Sequence, residues 1–477
     1  MLSQNNEKNG SVPKYTRIQK QPENPFASLI PDQQIAIIPS FTLESGVTLR
    51  NVPLAYTTRG KLSPKADNVM VLCHALTGSA DVSDWWGPLI GGPGRAFDTS
   101  RFFVVCMNSL GSPYGSASPV TAKDGDPEKG TYGPDLHKLL LDELGVRQIA
   151  AVVGGSMGGM LVLEWAYFGK DYVKCIVPIA TSSQHSAWGI SWGEAQRQSI
   201  YADPKYEDGY YSFSDPPATG LGAARMAALL TYRSRNSFEA RFGRNIPDPA
   251  RRQTIRERPR PSTPSEAHFQ IHNDGHKTTR LSRNNSQTST PTQTSGSGDD
   301  AGRSLDPQFS GPKIDSLTGG DSLPSSTYFS AQSYLRYQGE KFVKRFDSNC
   351  YIAITRKLDT HDLSRYRAES IPEALALIEQ PTLVLGIESD GLFTFAEQEE
   401  LAKYIKNARL ERINSQEGHD AFLLQFEQVN RYILEFLNEI LPEIMSGGGE
   451  HVEAASVGQL LKSSTFGEAE VEDITAW

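Results

Sequence analysis

The sequence predicts an α/β fold: a mostly parallel β-sheet flanked by helices, with an inserted helical cap that carries a disordered segment. Three observations point there. Short runs of β-branched and apolar residues recur along the chain and are continuous rather than alternating, the pattern of strands buried on both faces under covering helices. Between the fourth and fifth runs the character changes to long stretches with helical propensity and period. Within those stretches the composition shifts again, to Ser, Thr, Pro, Gly, Asn and charged residues with almost no apolar periodicity, which cannot bury enough surface to offset its ordering entropy.

Taken in order, residues 1–34 open with "MLSQNNEKNGSVPKYTR", which lacks the apolar stretch of a secretory signal and reads as disordered. Residues 35–185 form the first part of the core, with strand-like runs at "NVMVLCHAL", "RFFVVCMNSLG", "IAAVVGGS" and "YVKCIVPIA". Residues 186–374 are assigned to the cap through "SWGEAQRQSIY", "LGAARMAALLTYRSRNSFEARFG" and "SAQSYLRYQGEKFVKRFD". Residues 244–326, including "RLSRNNSQTSTPTQTSGSGDD", are the expected disordered insert. The second part of the core, 375–445, begins at "PTLVLGIESD", and 446–477, from "SGGGE", is a weakly structured extension.

Composition excludes several classes of function. A net charge of −9 argues against nucleic acid or an anionic membrane as the main partner. No apolar run approaches the length of a membrane span. The four cysteines, Cys73, Cys106, Cys175 and Cys350, lie far apart, the first three inside apolar runs. That is the usage of buried thiols in a reducing compartment, not of a disulfide framework or a metal site. A soluble cytoplasmic protein with no metal is expected.

The chemistry concentrates in "AVVGGSMGGMLVLEW", residues 151–165. Ala151 to Val153 end a buried strand, and Met160, Leu161, Leu163 and Trp165 suit the helix that follows. Gly154, Gly155, Gly158 and Gly159 let the chain turn sharply between them. The turn thrusts the Ser156 hydroxyl out at a helix N-terminus, where backbone N–H groups favour developing negative charge. Gly154, Ser156 and Gly158 fit the G-x-S-x-G pattern of a nucleophile elbow; a glycine-rich turn whose serine caps the helix fits the same letters. A nucleophilic serine needs a base and a carboxylate to orient it, and in the α/β-hydrolase fold both follow, aspartate first. Asp390 in "VLGIESDGLF" stands just past a strand, and His419 in "INSQEGHDAFLL" in a loop before a helix. For the oxyanion hole, one N–H belongs to Met157 and the second is assigned to Leu76, in the loop "LCHALTGSADVSDWWGP". His74 in that loop is read as a structural hydrogen-bonding residue, since His419 fills the role of base.

The segments "CHALTGSADVSDWWGPLIG", "MNSLGSPYGSASP", "GGSMGGMLVLEWA", "LTYRSRNSFEARFG", "YLRYQGEKFVKRFD", "DTHDL" and "EGHDAFLL" together resemble the homoserine O-acetyltransferase family, from about residue 35 to 445. The Ser-rich insert and the "FGEAE…W" tail are similar to the fungal-type enzymes. The resemblance implies acetyl transfer from acetyl-CoA, a co-substrate and not a bound cofactor, to the hydroxyl of L-homoserine, by a ping-pong route that feeds methionine synthesis. It implies Ser156 as the acetylated nucleophile, His419 as base and acid, and Asp390 as its orienter. Arg225 and Tyr232 correspond to cap residues that line the pocket and hold the amino acid's carboxylate, Asp420 to the carboxylate that meets its amino group, and Thr77 to a further substrate contact. On the residues alone, Arg225 reads as an ordinary solvated helix charge. A cap-mediated homodimer is expected from the same resemblance.

One departure stands out. After "YGP" the family continues through a T-[VI]-R-D segment before the helix ending in "LDELGV", whereas "YGPDLHKLLLDELGV" runs on directly after Pro134, about three helical turns shorter. The departure motivates one alternative, a noncatalytic relative; an O-acyltransferase acting on serine or another alcohol and a serine esterase of the same fold also stay open, since they share the same trio.

Overall fold

The computed structural model describes residues 15–42, 48–121, 144–246, 263–273, 275 and 329–446. The break after Pro134 lies outside them, as do residues 1–14 and 447–477. The chain divides into two compact units, residues 1–245 with 330–477, and residues 246–329.

The larger unit is built on a nine-stranded sheet. Its strands are β1 (Thr16–Ile18), β2 (Gln34–Thr42), β3 (Thr48–Arg59), β4 (Val69–Cys73), β7 (Phe103–Met107), β8 (Ile149–Gly155), β9 (Val173–Ile179), β10 (Thr382–Ile387) and β11 (Ala408–Ile413). Two short strands, β5 (Ile90–Gly91) and β6 (Phe97–Asp98), pair separately. The order is β1-β2-β3-β7-β4-β8-β9-β10-β11. The first three strands are antiparallel, and everything from β7 to β11 is parallel. All five strand-like runs of the sequence are central parallel strands, and β4, β8, β9 and β10 are almost wholly buried. Val71, Val152, Ile176 and Val384 pack on one face of the sheet, and Leu72, Val153, Val177 and Leu385 on the other. Chain order reverses direction across β4, so the ends of β4 and β8 flank a crevice, the usual place for a ligand in an open α/β sheet.

Helices follow: α1 (Val82–Trp86), α2 (Met157–Ala166), α3 (Ala187–Tyr201), α4 (Ala218–Tyr232), α5 (Arg235–Arg241), α6 (Pro264–His272), α7 (Ser330–Phe342), α8 (Ser348–Asp359), α9 (Ile371–Ala376), α10 (Phe395–Tyr404), α11 (Ala421–Leu424) and α12 (Phe426–Ile440). The inserted helices share a small core of their own, in which Ile200, Leu221, Ala224, Phe342, Phe346 and Tyr351 meet Tyr114 and Met157 from the sheet side. This cap ends with α8, earlier than residue 374: Leu363, Ala374 and Leu375 pack into the core beneath the sheet.

Two expectations of disorder need correction. Within 1–34, residues 15–34 are structured, because Gln21 and Asn24 donate side-chain hydrogen bonds to the carbonyls of Gly115 and Pro113 (both 2.8 Å) and become buried polar anchors. Composition alone reports such residues as solvated. Within 244–326, the smaller unit contains α6, whose N-cap Thr263 accepts from the Glu266 N–H (3.1 Å) with Pro264 at its first position. "TPSE" is the threonine-to-glutamate spacing of a helix start.

All four cysteines are free and buried. Burial pushes the Cys73 and Cys175 thiols up to about 12, so neither is a nucleophile at neutral pH. No helix of the described residues is long and apolar enough to cross a membrane.

Candidate active site

Ser156 sits between β8 and α2 at φ 59°, ψ −127°, a conformation that strains any residue but glycine. Its surroundings hold it there. The Ser156 N–H donates to the Ile179 carbonyl (2.9 Å), and its own carbonyl accepts from the Met160 N–H (3.1 Å) and the Thr181 hydroxyl (2.8 Å). The flanking glycines are required by contact: a Cβ on Gly158 would overlap the Cys73 carbonyl, and one on Gly154 would lie 2.7 Å from the Gly158 backbone. Helix and strand therefore touch through bare backbone, and the serine is left at the tip.

His419 and Asp390 meet, with Nδ1 2.7 Å from Oδ2. A carboxylate only accepts, so Nδ1 carries the proton and Nε2 is left with a lone pair. The other Asp390 oxygen accepts from the N–H groups of Leu392 (2.8 Å) and Phe393 (3.0 Å), which fixes the carboxylate's orientation. Both residues are buried, and Phe393 and Phe422 pack against the imidazole with ring centroids 5.3 and 5.5 Å away. Ser156 and His419 open into one cleft, which Leu76, Thr77, Tyr232 and Asp420 also line. Met157 and Arg225 are buried, and Asp390 is buried against His419.

The loop after β4 is held rigid. His74 Nδ1 donates to the Ala75 carbonyl (2.8 Å) while Nε2 accepts from the Ser109 N–H (2.8 Å), so both ring nitrogens are occupied in structure, as expected of it. Arg345 donates to the Thr77 carbonyl (3.0 Å) and Trp85 to that of Ser79 (3.0 Å). Leu76 lies in the turn that the Gly78-to-Ala75 bond closes (3.0 Å). The first N–H groups of α2, Met157 included, have no intrahelical acceptor. Two directed N–H groups beside a serine are what a tetrahedral oxyanion requires.

Arg225 is not a solvated helix charge. It is 2% exposed, with Nη1 3.4 Å from the Thr77 hydroxyl and its guanidinium carbon 4.9 and 5.5 Å from the ring centroids of Phe342 and Tyr232. Asp420 is also buried, and it forms an ion pair with Arg233 Nε (2.8 Å). Arg233 further donates to Glu417 (2.6 Å), which Arg241 (3.0 Å) and the Ser237 hydroxyl (2.5 Å) also hold. Burial acts to lower the Arg233 pKa, and the Asp420 charge, Tyr334 and Glu417 outweigh it and raise it. This clamp between the end of α4 and the histidine loop is absent from the sequence reading, although "TYRS" puts Arg233 beside Tyr232. Nothing in a lone arginine code distinguishes a buried ion pair from a surface charge.

The fold and the serine–histidine–aspartate geometry define a protein of the α/β-hydrolase class, and a family model described as alpha/beta hydrolase fold matches residues 68–426. Whole-length relatives narrow this. The chain is 66% identical to the homoserine O-acetyltransferase of Emericella nidulans, over 97% of this chain and 98% of that protein. It is 59% identical to that of Ascobolus immersus (97% of each) and 52% identical to that of Saccharomyces cerevisiae (95% and 96%). The chain belongs to the homoserine O-acetyltransferase family. Among solved structures, the homoserine O-acetyltransferase of Bacillus anthracis is similar at TM-score 0.62 and 20% identity, covering 85% of this chain and 97% of that one. Esterase E22 is similar at TM-score 0.62 and 19% identity (85% and 99%). At those identities the likeness is one of fold.

Proposed function

We propose that this protein transfers the acetyl group of acetyl-CoA to the hydroxyl of L-homoserine, giving O-acetyl-L-homoserine and CoA for methionine biosynthesis, through an acetyl-Ser156 intermediate. The observation that carries transfer over hydrolysis is the identity of 66% across nearly the whole chain, because transferases and esterases share the fold.

The chemistry follows from the site. His419 Nε2 takes the Ser156 proton as Oγ attacks the thioester carbonyl, and the Met157 and Leu76 N–H groups receive the oxyanion. The C–S bond breaks, the proton passes from His419 to the departing thiolate, and CoA leaves. His419 then takes the proton of the homoserine hydroxyl, which attacks the acetyl-serine; collapse returns the proton to Ser156 Oγ. Asp390 holds the tautomer throughout and stabilises the imidazolium. Arg225, with Thr77 and Tyr232, receives the amino acid's carboxylate, and Asp420 its ammonium. The buried free thiols suit a cytoplasmic setting, and the family resemblance supports a homodimer.

The test is CoA release from acetyl-CoA with and without L-homoserine. Release that depends on homoserine supports the proposal. Equal release in its absence means an esterase, and no release means a noncatalytic relative.

A further inference from the structure

A cation of the cap reaches the loop that carries Leu76. Arg345 stands in the connection between α7 and α8, where its N–H donates to the Phe342 carbonyl (3.0 Å) as α7 closes. Of the three basic residues in "KFVKRFD", Lys344 is exposed and Lys341 partly so, while Arg345 is only 4% exposed. Its Nη1 donates to the Thr77 carbonyl (3.0 Å) and to the Tyr114 hydroxyl (3.0 Å), and its guanidinium carbon lies 4.9 Å from the centroid of the Phe342 ring. The Arg225 guanidinium stands at the same distance from that ring. Phe346 stacks on Phe342 with centroids 5.0 Å apart and meets Tyr114 edge-on at 5.8 Å, so the arginine is packed in place. Burying a guanidinium is unfavourable unless its donors are used, and this one is directed at a main-chain carbonyl.

That carbonyl belongs to a relay of two peptide groups. A trans peptide is planar, so its C=O and N–H point in opposite directions and turning one turns the other. The Thr77 C=O that Arg345 holds shares its plane with the Gly78 N–H, which donates to the Ala75 carbonyl (3.0 Å). The Ala75 C=O also accepts from His74 Nδ1 (2.8 Å), and it shares its plane with the Leu76 N–H. Holding the Ala75 oxygen inside the turn therefore presents the Leu76 N–H on the opposite side, and Leu76 lines the cleft with Ser156 and His419.

Aim decides what such a donor contributes. An N–H stabilises an oxyanion where it points at the oxygen, and the interaction weakens steeply as the angle closes. His74 fixes the near end of the relay from within the core, and Arg345 fixes the far end from the cap. Arg225 meets the same residue differently: its Nη1 is 3.4 Å from the Thr77 hydroxyl, a side-chain atom that can move without turning the peptide plane. The two arginines on Phe342 therefore act on separate atoms of Thr77.

We propose that Arg345 is a positioning residue for the oxyanion hole, through which the cap aims the Leu76 N–H at the reacting carbonyl. The inference rests on the proposed role of Leu76 as a donor to the oxyanion. Both tetrahedral intermediates of the ping-pong route use the same hole, so Arg345 serves acylation and deacylation alike, whereas Arg225 serves the acceptor alone.

The experiment uses the full chain with Arg345→Gln, whose amide nitrogen ends where Nε stands and falls short of the carbonyl, and Arg345→Lys, whose ammonium ends one bond short of Nη1. Values of kcat/KM are measured for acetyl-CoA, for p-nitrophenyl acetate and for L-homoserine. In a ping-pong scheme the donor values report acylation alone and the homoserine value deacylation alone. Arg345→Gln is expected to lose roughly ten- to hundredfold on all three substrates by one factor, short of the full loss of an oxyanion donor. Arg345→Lys should lose about threefold, again equally. Affinity for ethylboronic acid, whose adduct with Ser156 puts an oxygen in the hole, should weaken by the same factor. Competitive inhibition by L-2-aminobutyrate, which is homoserine without its hydroxyl, should stay within about twofold of the parent's. A structural role alone lowers the urea midpoint and leaves kcat/KM and boronate affinity parental, which overturns the proposal. So does a loss confined to homoserine, which places Arg345 in acceptor recognition, and so does an Arg345→Lys no better than Arg345→Gln. Should Arg345→Gln not fold, the equal loss and the boronate affinity of Arg345→Lys decide. A parent that cleaves p-nitrophenyl acetate yet transfers no acetyl group to homoserine overturns the proposed function and leaves the Arg345 comparison on that ester standing.

Discussion

Replacing Arg233 with methionine tests how the cap supports the histidine loop. The Arg233 side chain is 5% exposed and that of Asp420 8%, with 2.8 Å between the paired atoms. At an effective dielectric constant of about 20, unit charges at that distance attract by roughly 6 kcal/mol before desolvation. Methionine fills much of the volume and removes the guanidinium's own burial cost, yet it leaves the Asp420 carboxylate in its buried site without this cation. Breaking a buried pair from one side costs about 3–5 kcal/mol. Glu417 loses less, because Arg241 and Ser237 still hold it. A loss near the lower end, about 3 kcal/mol, is therefore expected in urea unfolding at pH 7, read from the shift in midpoint at unchanged slope. Adding Asp420→Asn to Arg233→Met should restore at least half of that loss, since a neutral amide needs no cation. A loss under about 1 kcal/mol, or no recovery in the double variant, would refute the claim that this pair is a buried, coupled clamp.

Three further outcomes follow from the same structure. Gly158→Ala drives a methyl group into the Cys73 carbonyl, so the variant should lose roughly 3 kcal/mol or more of stability or fail to fold; a parental urea midpoint contradicts the close strand-to-helix contact. His361 is partly buried, and its desolvation lowers its pKa from 6.5 to about 4 against the opposing bond to the Ser182 carbonyl (3.1 Å). Above pH 6.5 both states are neutral. Between pH 6.5 and 4 only the unfolded chain takes up the proton, so stability falls by about 3 kcal/mol over that window and levels off below it. Stability curves of His361→Gln should lack that slope, and an identical slope would assign it elsewhere. Residues 246–329 leave the larger unit where Ser330 N–H donates to the Asn245 carbonyl (2.8 Å), so the ends to be rejoined are already adjacent. A short Gly/Ser linker in their place should keep kcat/KM within about twofold, and a collapse of turnover would show that the segment serves the reaction.

The sequence made the parallel centre of the sheet readable because strands covered on both faces must be apolar throughout, as β8 and β10 are. The serine turn was readable for a related reason: backbone contact between β4 and α2 admits only glycine, which leaves a visible cluster of letters. The edges escaped. β11, "ARLERI", is only partly buried and mixes charge with apolar residues, so it does not announce a strand. β2 and β3 form an antiparallel pair outside the continuous apolar pattern that marks the others. In the site, Ser156, Asp390 and His419 are recognisable by order and by loop position, but burial is not written in a residue's name. Arg225 reads as a surface charge in the sequence and is enclosed between aromatic rings; Arg233 acquires its role only when distant segments of chain close around it.

Intact-protein mass spectrometry reads the proposed acetyl-Ser156 intermediate directly. Parent protein and Ser156→Ala are each incubated with acetyl-CoA alone, and L-homoserine is then added. One added acetyl group is expected on the parent and none on the variant, with discharge of the label by homoserine and appearance of O-acetyl-L-homoserine. An acetyl group that forms equally on Ser156→Ala, or that homoserine does not remove from the parent, would contradict it.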